Sequence, residues 1–195
     1  MLNLPCDTLY VPAVPCGTQK QSGFAELYYF LLSDVDVMTL NLAGSAVTAL
    51  ELLGSKAVLI PTVPDSIELT DIGTVNNDAG VTYITQALKA NLPNPAGNEA
   101  RELRQWLYEC VGCNAIGFIL LNKSSEYLIA VPDPTVLTTK VFGSDRWKNG
   151  TQTVASYGRN GANPAAFDLV FSRETTSKGY ALPIAASVPT TDFLA

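Results

Sequence analysis

The sequence has no histidine among its 195 residues. This removes the commonest general base, the commonest metal ligand and the usual partner of a nucleophilic serine or cysteine, so no conventional catalytic constellation is in reach. Charge is scarce too. Asp, Glu, Lys and Arg make up 15% of the chain, against roughly 25% in an average soluble domain. The 18 acids outnumber the 12 bases, leaving a formal charge of −6. That balance argues against a nucleic-acid reader, which needs a positive footprint. Long apolar runs are also missing. The most apolar stretches, FAELYYFLL and AIGFILL, are too short to span a bilayer. The opening MLNLPCDTLY lacks the basic leader and apolar run of a signal peptide. A soluble protein made in a cytoplasm is expected, with Cys6, Cys16, Cys110 and Cys113 reduced.

What the chain does have is core material. Hydrophobic residues make up 47% of this 20.8 kDa chain by number, enough for one large domain that buries roughly two-thirds of its unfolded surface without staples. Thr, Ser, Asn and Gly take over much of the surface-forming role of charge, which suits strands, turns and faces that meet other proteins. The charge is uneven. Residues 1–99 carry ten acids against Lys20, Lys56 and Lys89, whereas residues 100–195 carry eight acids against nine bases. The acidic half is expected either to present an acidic face on assembly or to be a dispersed solvated surface.

Residues 1–23, with three prolines, read as an extended arm before a single domain over 24–195. Strands are expected at 24–33 and at 34–42, where Val35 and Val37 alternate with Asp34 and Asp36. Further strands are expected at 57–63, with Pro61 marking an edge or an end, at 66–72 and at 81–88 after the turn cluster 76–80. Residues 43–55 are a long segment to which no strand is assigned, and 91–97 read as a loop. One helix is expected at about 99–111, capped by Asn98, ended by Gly112 and carrying an apolar stripe of Ala100, Leu103, Leu107 and Cys110. The runs AIGFILLN and EYLIAV around Lys123-Ser124-Ser125 predict a hairpin. Three more strands are expected at 135–142, 151–157 and 165–172. About nine strands and one helix, without a βαβ rhythm, predict antiparallel sheets in a sandwich or barrel.

The chemical motifs are weak. Cys110 and Cys113 fall at the C-terminal end of the expected helix, the wrong end for a redox pair. Cys6 and Cys16 are too far apart to complete a zinc site without histidine, so small buried hydrophobes are expected. The glycine-rich YGRNGANP lacks the order and the Lys-Ser/Thr ending of a phosphate loop. Asp34 and Asp36 could share Ca²⁺ or acid–base work, but with no further ligands implied a solvated or lumen-facing strand edge is the simpler reading. Trp106 and Trp147 are expected to anchor or pack at interfaces. No cofactor is implied.

In order and pattern, residues 81–183 resemble the tail tube proteins of tailed bacteriophages, particularly the divergent forms of Bacteroidetes phages and prophages. The resemblance is carried by VTYITQAL, the helix segment NEARELRQWLYECVG, the hairpin AIGFILLNKSSEYLIAV and the ending NGANPAAFDLVFSRETTSKGYALP. The spacing of Cys6, Cys16 and Gly23 before residues 24–33 and the step Asp34-Val35-Asp36 add to it. It implies a mainly β fold, an antiparallel sandwich or half-open barrel with one flanking helix, and a homo-oligomer of hexameric rings stacked into a tube in the virion tail. Other virion proteins and DNA passing through without specific binding are the implied partners, with no membrane and no catalytic residue. An acidic lining keeps phosphates from sticking, which makes Asp34, Asp36, Glu68 and Asp71 the candidate lumen-facing acids. The alternatives are another virion component, such as a capsid decoration, neck or baseplate protein, and a ligand-binding β-sandwich.

Overall fold

The computed structural model describes residues 23–42, 44–76, 81–93, 98, 102–103, 105, 116–130, 147–149, 155–156, 166–176 and 181–195. They are mainly β. In chain order the strands are β1 (Phe24–Leu31), β2 (Val35–Leu40), β3 (Val47–Leu52), β4 (Val58–Ile60), β5 (Glu68–Asn76) and β6 (Val81–Pro93). They continue as β7 (Ile116–Asn122), β8 (Tyr127–Ala130), β9 (Lys148–Asn149), β10 (Ala155–Ser156), β11 (Ala166–Thr176) and β12 (Leu182–Pro183). One sheet has the order β12-β8-β7-β1-β4, a second has β10-β11-β6-β5 with β9 also on β11, and β2 and β3 form a hairpin of their own. The ladders between these strands are all antiparallel.

The first sheet is central because its middle strands are apolar on both faces. Ile116, Phe118, Ile119 and Leu120 of β7 are all buried, as an unbroken apolar run requires when neither side of a strand meets water. Alternation then sends Leu27, Ile116, Phe118, Leu120 and Ala130 to one face, where they pack with Leu88, Ala90, Leu92, Leu169 and Phe171 of the second sheet. Phe30, Ile119 and Ile129 go to the other face and meet Val35, Val47, Leu50 and Leu52 of the β2–β3 hairpin, together with Ile184, Val188 and Phe193. Each of the larger side chains contributes roughly 2 kcal/mol by leaving water. Both layers therefore depend on the central sheet.

Local chemistry shapes the connections. Asn122 Oδ1 accepts from the N–H groups of Ser124 (2.9 Å) and Glu126 (2.8 Å), which closes the β7–β8 turn by the side-chain mimicry that makes asparagine a turn residue. Ser125 takes the left-handed conformation there, with φ 62°. Lys123 reaches Asp65 in an ion pair that ties this turn to the β4–β5 connection.

Several segments differ from the sequence expectation. Between Val35 and Val37 the β2–β3 register shifts, a bulge at Asp36 that breaks the alternation. Val35 is buried but Val37 is exposed, and Met38 and Leu40 pack inward in its place. The segment 43–55, assigned no strand from the sequence, contains β3, which pairs along β2. The expected loop at 91–97 gives way up to Pro93, where β6 continues because Leu92 fills the core and β11 supplies a ladder. Glu102, Leu103 and Gln105 have helical backbone, while the rest of 99–111 lies outside the described residues. So do the arm at 1–22, the strand expected at 135–142 and most of 151–157. The helical elements delineated among the described residues are two 3-10 turns, Leu32–Asp34 and Thr190–Asp192.

Candidate functional site

The four candidate acids fall into two separate pairs, one at the start of the β2–β3 hairpin and one on β5. Asp34 closes a 3-10 turn, half-buried, and its carbonyl accepts from Leu53 N–H at 2.8 Å. Asp36 stands exposed at the β2 bulge. Glu68 is exposed at the start of β5, with an oxygen 3.9 Å from Lys89 Nζ, a loose surface pair of little energetic weight. Asp71 lies three residues further along β5 at the register position opposite Gln86, with only its backbone described. The structure thus brings Glu68 and Asp71 onto one strand. It leaves Asp34 and Asp36 on the hairpin that packs against the other face of the central sheet.

The sequence reading missed a buried polar group on the second sheet. Gln86 and Arg173, 0% and 1% exposed, are the buried polar side chains among the described residues. They face each other across β6 and β11, with Arg173 Nε donating to Gln86 Oε1 at 2.5 Å. The Arg173 guanidinium also lies 5.1 Å from the centre of the Trp147 ring, in range for a cation–π contact strengthened by desolvation. Trp147 is itself held by donation from Nε1 to the Ala130 carbonyl (3.2 Å) and by an edge contact with Phe118. Gln86 Nε2 has no hydrogen-bond partner among the described residues. The strand pattern held a signal, because Arg173 falls on the same phase of β11 as Leu169 and Phe171.

A cavity of about 300 Å³ opens beside the β7–β8 turn, lined among others by Ser125, Glu126, Tyr127, Ile184, Thr190 and Phe193. Tyr127 and Phe193 meet edge to face at 5.6 Å and form one wall. Nearby, Tyr28 Oη donates to Glu26. Burial and then the Glu26 carboxylate, as hydrogen-bond acceptor and as negative charge, push the Tyr28 phenol well above its ordinary pKa. Burial, followed by the Glu26 charge, raises Tyr127 too. Both phenols stay neutral as donors and apolar surface.

Among the described residues no three acid or thiol groups are arranged to hold a metal, and all four cysteines lie outside them. No helix among the described residues is long and apolar enough to cross a membrane. In comparison with known proteins, the chain matches no family model, no curated protein and no solved structure.

Proposed function

We propose that this chain is a virion structural subunit that joins copies of itself into the tail tube of a tailed bacteriophage. The observation that carries the reading is the β5–β6 ladder. At nine and thirteen residues these strands exceed the usual five or six. The ladder continues five rungs beyond the buried Gln86, to Asn76 opposite Val81. β5 is the last strand of its sheet, and among the described residues nothing pairs with its far side. Its sequence ELTDIGTVN has neither the lysine nor the proline that usually blocks such an edge. A long edge without lysine or proline suits a subunit whose neighbours complete it.

In this reading the described layers belong to a β-sandwich or half-open barrel with a flanking helix around Glu102–Gln105. Hexameric rings stack into a channel, and DNA passes without specific contacts past a surface with few cations. Electron microscopy of the purified full chain tests it. Six-fold rings or open tubes are expected, and a protein that stays monomeric at high concentration overturns the reading. Closed rings or trimers bound to capsid, neck or baseplate would instead place it elsewhere in the virion. The pocket beside Tyr127 favours a second reading, a ligand-binding β-sandwich, which predicts a monomer stabilised by a small molecule in thermal-shift screening.

A further inference from the structure

Two sheet edges share one flank of the molecule. Among the described residues, β4 ends the central sheet and β5 ends the second one, and residues 61–67 join them. Ile60 and Ile67, at the two ends of that connection, enter the same core cluster, which keeps the edges together. Leu194 bridges only to Ala57, just ahead of β4. On β4 itself the consecutive residues Val58 and Leu59 are 41% and 48% exposed, so this short edge strand offers apolar surface on both faces.

The β5 edge is self-complementary. A second copy that adds antiparallel and uses all nine residues of Glu68–Asn76 is centred on Ile72. Leu69 then stands opposite Val75 and Thr70 opposite Thr74, the apolar and hydroxyl pairings that stabilise a ladder. Glu68 comes opposite Asn76 and Asp71 opposite Gly73, so the like-charge pairing that would oppose the contact does not arise. We propose that two copies of this chain pair through β5 about a two-fold axis at Ile72, with the β4 edges and their exposed Val58 and Leu59 drawn together beside it. Such a contact is closed, because each β5 occupies the other and no further copy adds at that edge. The pair goes beyond the tube reading: it shields the edge from open-ended association and has to open before rings use β5.

Sedimentation and disulfide mapping test it on the full chain. The dilute natural chain is expected to sediment with the mass of two copies. Directly opposite residues have Cα atoms about 4.5–5.5 Å apart, within the span of a disulfide, and position 72 is the one that faces itself. Mild oxidation of Ile72→Cys should therefore link two peptides that both carry position 72, light to heavy in isotopically mixed protein. Thr70→Cys lies roughly 13 Å from its own counterpart and should not link to itself. A natural chain that sediments as a monomer overturns the proposal, as does a dimer in which position 72 stays unlinked or position 70 links equally well. Six-fold rings without the 72–72 link also overturn it and leave the tube reading standing, whereas the linked pair with no rings at high concentration does the reverse.

Discussion

The ring of Phe30 occupies the space in which a side chain at Gly117 would stand. The two residues are cross-strand partners on β1 and β7. A Cβ built on Gly117 would lie 2.8 Å from Cε1 and 3.0 Å from Cε2 of Phe30, closer than carbon atoms pack. Near the start of a strand buried on both faces, glycine is here a packing requirement of its neighbour.

Gly117→Ala is therefore expected to destabilise the fold by about 1–3 kcal/mol through overpacking. Urea denaturation measures it. Adding Phe30→Leu should recover part of the loss, because it removes the atoms that clash; a double variant whose two losses simply add would refute the contact.

Arg173→Ala should be more damaging. It removes a buried hydrogen bond from a charged donor to Gln86 and the cation over Trp147, and leaves a cavity. A loss of about 3 kcal/mol is expected, with a change in Trp147 fluorescence. Arg173→Lys should not restore stability, since an ammonium lacks the planar fork that faces both partners. Equal stability of the lysine variant and the natural protein would count against this account.

The raised phenol pKa values of Tyr28 and Tyr127 set a pH dependence. Above the unfolded pKa of 10.0, the native state binds more protons than the unfolded one, so stability falls as pH rises. The contribution is complete below pH 10 and is lost on titration through the folded values. Denaturant titrations from pH 8 to 11.5 should show a flat region and then a decline. Tyr28→Phe should make the decline shallower; an unchanged slope would show that Tyr28 does not titrate as described.

For the proposed assembly, Glu68→Lys reverses the charge at an exposed position on the β5 edge. Rings or tubes seen by electron microscopy should disappear, while the circular dichroism spectrum and thermal midpoint stay close to those of the natural chain, because surface changes usually shift stability by less than about 0.5 kcal/mol. Assembly that continues unaltered would remove β5 from the interface.

The course of β1, β7 and β8 was legible along the chain. Their apolar runs and the Lys123-Ser124-Ser125 turn are local signals, and local periodicity is what strand and hairpin formation obey. The same patterns misplaced Val37, because a bulge adds one residue and reverses every side chain beyond it. They also passed over β3, whose alternation is irregular and whose pairing with β2 shows only once both strands rest on the central sheet.

By itself the sequence determined a mainly β chain, rich enough in apolar residues to bury a strand on both faces, poor in charge and without histidine. Only the tertiary structure decided which residues meet. It set Gly117 under Phe30 and Arg173 against Gln86 and Trp147. It also parted Asp34 and Asp36 from Glu68 and Asp71 on opposite sides of the central sheet. The physical reason is that periodicity assigns a residue to one face of its own strand, whereas register, bulges and the stacking of sheets decide what lies across from that face.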